Sequence, residues 1–92
     1  MLDIEFTKQF RKDVARARKR GLDIRLLDGV LMKLRREEQL EARLRDHPLR
    51  GNYAGYRECH VQPDWLLVYK VKNDRVTLIA YRTGTHSDLF DE

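Results

Sequence analysis

Three histidines, His47, His60 and His86, lie in the C-terminal half of this 92-residue chain. Asp64 and Trp65 follow the second in "CHVQPDW", and Arg82 and Phe90 flank the third in "RTGTHSDLF". Imidazole titrates closest to neutrality of all side chains, so several of them can share the work of general base and general acid. Arginine offers a fork of donors matched to phosphate oxygens. An aromatic ring can hold an unpaired base by stacking, worth roughly 1–3 kcal/mol. Together these parts suit metal-free cleavage of RNA. There the 2′-hydroxyl attacks the adjacent phosphorus, a base takes its proton, an acid protonates the departing 5′-oxygen, and a cation steadies the charged phosphorane.

Other chemistries fit less well. Three histidines and an aspartate can bind zinc, but no pair has the compact HExxH spacing, and the ligands would come from separate elements. Cys59 is the only cysteine and sits mid-strand, away from any nucleophile elbow. "RTGTH" has one glycine and is no phosphate loop. Neither metal nor cofactor is expected. Each residue also has a plainer role when taken singly. His47 before a proline reads as a surface residue, and His60 as a half-buried strand residue. Trp65 reads as a core anchor, and Arg82 as the partner of an acid on a neighbouring strand. The site rests on their convergence.

Convergence requires elements that bring them together. Leu2 to Phe6 alternates as a short edge strand, Thr7 is an N-cap, and Phe6 and Phe10 are spaced to form a hydrophobic staple. Phe10, Val14 and Ala17 continue an apolar helical stripe that Gly21 can end, while Lys8, Arg11, Lys12, Arg16, Arg18, Lys19 and Arg20 make the rest basic. Asp23 caps a second helix with its stripe at Ile24, Leu27, Val30, Leu31 and Leu34. Gly29 within it points to close helix packing, and the charged run "RREEQLEARL" places the helix end between Glu38 and Leu44.

"DHPLRGNYAG" is a loop. Strands are then expected over Tyr56 to Val61, Trp65 to Val71 and Arg75 to Arg82, with a turn at Gln62-Pro63 and a tight hairpin at Asn73-Asp74. The first turn brings His60 and Asp64 to one rim of the sheet. The expected fold is α+β with the order β-α-α-β-β-β, a single domain over 1–92. Two helices cover one face of a mainly antiparallel four-stranded sheet, a short tail follows, and the opposite face is free to bind.

Bulk properties agree with a partner of opposite charge. Lysine and arginine number 19 against 15 acids, a net charge of +4, which favours nucleic acid, an acidic protein or a membrane surface without choosing among them. No apolar run approaches the roughly 20 residues that span a bilayer, and "MLDIEFTKQF" lacks a signal-peptide pattern, so a cytoplasmic protein is expected.

The runs "DHPLRGNYAGYRECHVQPDWLLVYK" and "YRTGTHSDLF" resemble the RelE/ParE superfamily of bacterial toxins, and most of all its YafQ branch of messenger-RNA interferases. The resemblance implies a ribosome-dependent endoribonuclease that cuts messenger RNA in the A site, with a preference for adenine-rich lysine codons. Carried over, its site falls on His47, His60, Asp64, His86 and Phe90, with Trp65 beside them. His86 would be general acid and Asp64 or His60 general base. His47 would help position the phosphate, Arg82 would stabilise its charge, and Phe90 would stack on a base. It further implies a cognate antitoxin that holds the toxin in a hetero-oligomer, the free toxin being monomeric, with the basic first helix as a docking face for antitoxin or ribosomal RNA. The rival readings are a ParE-like toxin that inhibits DNA gyrase and a non-catalytic RNA-binding module.

Overall fold

A computed structural model describes residues 1–90. The elements run β1 (Asp3–Phe6), α1 (Lys8–Lys19), α2 (Ile24–Arg35), β2 (His47–Pro48), β3 (Arg57–Gln62), β4 (Trp65–Val71), β5 (Thr77–Gly84) and α3 (His86–Phe90). Single 3-10 turns at Ala42–Leu44 and Gly51–Tyr53 flank β2. The architecture is α+β, as expected. The sheet has five strands in the order β1-β5-β4-β3-β2, one more than expected, because His47–Pro48 pairs antiparallel with Arg57 and Glu58. A lone histidine–proline pair carries no strand pattern of its own, so only the partner strand reveals it. β1 pairs parallel with β5, and the remaining pairs are antiparallel.

The central strand explains its own sequence. "WLLVY" is buried on both faces, Trp65, Leu67 and Tyr69 joining the core under the helices and Leu66 and Val68 a second cluster on the other side. A strand covered on both faces reads as a continuous apolar run, not an alternation. Leu27, Val30 and Leu31 of α2 and Phe10 and Ala17 of α1 supply the helical half of the main core. The smaller cluster adds Leu89 of α3, with Leu49, Tyr56, Tyr81 and Phe90 packed against it. The second face is therefore partly covered, and the expected tail is a helix.

Local signals set most of the boundaries. Thr7 Oγ1 accepts from the Phe10 amide at 2.9 Å, and the Phe6 and Phe10 rings stack at 5.5 Å. Gly21 ends α1 in the left-handed region (φ 81), with the Leu22 amide returning to the Ala17 carbonyl and the Gly21 amide to that of Arg18. The same double bond closes α2, from Glu38 to Lys33 and from Glu37 to Leu34, with Glu37 left-handed at φ 58. That closure stops α2 at Arg35, ahead of the expected range, and lets Leu40 and Leu44 fold back into the core. Without a glycine at the closing position the sequence carries no stop signal.

Three further expectations are corrected. Gly29 has open space where a Cβ would stand, so helix packing does not account for it. Gln62 pairs with Trp65, which moves the first turn to Pro63-Asp64. The second connection is a loop from Lys72 to Val76, not a two-residue hairpin. Its Lys72 amide donates to the Thr77 carbonyl, and the Asp74 carboxylate accepts from the amides of Val76 and Thr77.

Candidate active site

On β3 the residues alternate between faces, so Cys59 and Val61 enter the core under the helices while Glu58 and His60 face the other way. Pairing with β2 then sets His47 directly opposite Glu58. The Glu58 carboxylate, 5% exposed as a residue, meets His47 Nε2 at 3.4 Å and His60 Nε2 at 3.5 Å through one oxygen. Each ring is turned by its other nitrogen: His47 Nδ1 donates to the Pro48 carbonyl and His60 Nδ1 to the Pro63 carbonyl, both at 3.1 Å. Both Nε2 atoms therefore have the same buried carboxylate as neighbour. His60 is the more enclosed ring, 14% exposed against 48% for His47.

The third histidine arrives from the other end of the chain. β5 leads through Gly84 and Thr85 into α3, whose first residue is His86. Asp64, at the β3–β4 turn, accepts from both the His86 backbone amide at 3.1 Å and its Nδ1–H at 2.9 Å. These two donors, the ring first, hold the Asp64 carboxyl below its ordinary value. With Nδ1 engaged, His86 Nε2 is left for other work. The His60 and His86 rings stand 5.7 Å apart, and His86 and Phe90 6.5 Å apart. Asp64 thus serves His86, where the sequence pointed to His60.

His47, Glu58, His60, His86 and Phe90 all line one open cavity of about 1150 Å³. Tyr53 and Leu49 add apolar wall, Tyr53 meeting the Phe90 ring edge-on at 5.4 Å, and Arg43, Arg45 and Arg50 bring positive charge. Arg45 is held in the left-handed region (φ 49), directly after the turn Ala42–Leu44 and before Asp46. Asp46 in turn accepts from Arg57 Nε at 3.2 Å and from the Tyr69 hydroxyl, which ties the residue before His47 to the sheet.

Two expected site residues lie elsewhere. Trp65 is 2% exposed in the core under the helices, its indole N–H donating to Thr83 Oγ1 at 2.9 Å, so neither ring face is open to a base. Arg82 turns toward α1, where Nε and a terminal nitrogen donate to the buried Asp13 at 2.9 and 3.1 Å. Asp13 also accepts from the Thr83 amide and from Gln9, which satisfies a carboxylate that is only 2% exposed. Arg82 is a structural ion-pair partner, of an acid on a helix instead of a strand, and the cavity draws its cations from the loop around β2. Cys59 is fully buried, and burial pushes its thiol up to about 12, which removes it as a nucleophile.

Glu58 escaped the sequence reading, although its spacing of two from His60 on a strand places both on one face. Its closeness to His47 depends on the β2–β3 pairing and has no sequence signal. Together these three present two imidazole nitrogens and a carboxylate oxygen within 4.8 Å of one another, a donor set that suits zinc or copper. The spacing argument against a metal did not anticipate this grouping.

Comparison with known proteins places the arrangement in context. The model of a family described as "Bacterial toxin of type II toxin-antitoxin system, YafQ" matches residues 2–91. The mRNA interferase toxin YafQ of Escherichia coli K12 is 44% identical over 89 residues, 96% of this chain and 95% of its own. A metal-bound toxin from Helicobacter pylori superposes with a TM-score of 0.92 at 46% identity, covering 98% of this chain and all of the other. YafQ in the E. coli DinJ–YafQ toxin–antitoxin complex gives 0.86 at 43% identity, with 97% of each chain covered.

Proposed function

This chain belongs to the YafQ family of toxins of bacterial type II toxin–antitoxin systems, and we propose that it is an endoribonuclease that cuts messenger RNA on the ribosome. The observation that carries this reading is the pair of imidazoles, His60 and His86, 5.7 Å apart across one cationic cavity, His86 oriented by Asp64 and His60 set beside the Glu58 carboxylate. The E. coli relative bears the name mRNA interferase, which fits the same chemistry.

In this mechanism His60 Nε2 takes the 2′-hydroxyl proton, and the resulting imidazolium is steadied by Glu58. The 2′-oxygen attacks phosphorus, the bond to the 5′-oxygen breaks, and His86 Nε2 supplies the proton to that leaving group. The products are a 2′,3′-cyclic phosphate and a 5′-hydroxyl. His47 shares the Glu58 carboxylate and helps place the phosphate. The arginines of the cavity, Arg45 and Arg50 foremost, stabilise the phosphorane as preorganised cations. Phe90, with Tyr53 at its edge, offers a stacking surface to a base. Adenine-rich lysine codons are the proposed preference. A gyrase-directed toxin would have no use for this acid–base set.

A cognate antitoxin is the proposed partner, as DinJ is for the E. coli relative, forming a hetero-oligomer from a monomeric free toxin. Among the described residues no helix is long and apolar enough to cross a membrane, and an activity on translating ribosomes would lie in the cytoplasm. The test is induced expression of wild type and His86→Ala with mapping of transcript 5′ ends. New in-frame cuts from wild type, and their loss in a folded His86→Ala protein, are expected. Unchanged 5′ ends with wild type would sink the reading.

A further inference from the structure

α3 carries His86 and Phe90, yet it has five residues, far short of the length at which a helix holds itself. Leu89 packs into the smaller apolar cluster, and Asp64 holds the first residue. The third attachment is Asp88. Within the turn, its Oδ2 accepts from the Thr85 amide at 2.9 Å, and its own amide donates to Thr85 Oγ1 at 3.0 Å, a reciprocal cap. The same carboxylate reaches across to α1. Arg20 grips it with two nitrogens at 2.6 and 3.2 Å, and Arg16 adds a contact at 3.2 Å. Gly84 lets the carboxylate seat against the end of β5, since a Cβ there would stand 2.9 Å from Asp88 Oδ2.

We propose that Asp88, gripped by Arg16 and Arg20, is a positioning site that sets where His86 and Phe90 stand in the cavity. None of the three lines that cavity, so they act through α3 and not on substrate. Arg16 and Arg20 thereby differ from Lys12, Arg18 and Lys19 of the same helix, for which no ion pair is found among the described residues. A bidentate arginine fixes direction as well as distance, which a solvated lysine would not. Displacement of a reacting group by about 1 Å can cost on the order of 10²-fold in rate, so a loosened α3 should show in turnover before it shows in the fold.

The inference rests on the endonuclease reading, and its test separates the two. Arg16→Ala/Arg20→Ala is compared with wild type, with Arg16→Lys/Arg20→Lys, and with Arg18→Ala, which reports the loss of helix charge alone. Cleavage of programmed ribosomes gives kcat and KM. NMR of the free protein follows the His86 ring through its contacts to Phe90 and Asp64. The expected result is a fall in kcat of about tenfold for the double alanine variant, a smaller fall for the double lysine variant, and altered contacts of the His86 ring to Phe90 and Asp64. Arg18→Ala should change KM more than kcat. A fall confined to KM, or a kcat loss equal to that of Arg18→Ala, would overturn the positioning role, as would an unmoved His86 ring. Should the double alanine variant fail to fold, the lysine variant, which keeps the charge and loses the fork, reads the same quantities. If wild type cleaves nothing while the His86 ring still moves in the variants, the nuclease reading fails and the attachment of α3 stands.

Discussion

The two faces of the sheet are built on different principles. Under α1 and α2 the sheet buries a continuous apolar layer, from Phe10 and Leu27 to Trp65, Leu67 and Leu78, interrupted by the ion pair Asp13–Arg82. On the other face the apolar cluster is small, Leu66, Val68 and Leu89 with a few partly buried rings, and the polar groups gather at its rim. The first face supplies stability and tolerates no vacancy. The second is held by carboxylates at its edges: Glu58 between two histidines, Asp64 on His86, and Asp88 on α1. Burial on one side leaves the other free to spend its side chains on chemistry.

The contrast is sharpest at the aromatics. Trp65→Ala should cost about 3–5 kcal/mol by opening a cavity in the helix-covered core, read as a shift in urea midpoint. Phe90→Ala, on the open face, should cost far less stability and mainly raise KM. Equal losses would erase the distinction between the faces. Next in size is Glu58→Gln, which keeps the shape and removes the charge. Cleavage should fall on the order of 10²-fold while the thermal midpoint moves little, as measured on programmed ribosomes and by calorimetry.

Acid should loosen the rim before the core. Hydrogen bonding from Arg20, above all, holds the Asp88 carboxyl well below the usual carboxylate range. A folded-state value below the unfolded one gives stability that is complete above about pH 4 and is lost as pH falls toward the folded value. Asp88→Asn should therefore flatten the acid limb of stability against pH in denaturant titrations, whereas an unchanged limb would detach Asp88 from the fold. The smallest effect is expected on the helix side: Gly29→Ala, with room for a Cβ and no left-handed backbone, should stabilise by up to about 1 kcal/mol and leave cleavage untouched.

What could be read along the chain was whatever is encoded locally. Thr7 and Asp23 as caps, Gly21 as a stop, and the apolar run of the central strand all act within a few residues of themselves. The motif-rich C-terminal half likewise singled out His47, His60 and His86, which line one cavity. Glu58 was legible in principle from its spacing to His60, but a lone glutamate on a strand ordinarily faces water, and nothing nearby in sequence says it is buried.

The remainder depended on contacts between distant segments. Whether Arg82 meets phosphate or Asp13 is decided 69 residues away on α1, and Trp65 could be a core anchor or a stacking surface until β4 proved central. The strand His47–Pro48 exists only because β3 offers it an edge. The attachment of α3 by Arg20 spans 68 residues. Caps, stops and periodicity follow from backbone geometry and local hydrogen bonding, which neighbours in sequence determine. Partner choice among charged and aromatic side chains follows from which surfaces the packed sheet brings together, so the sequence determined which residues were available and the tertiary structure decided what each one does.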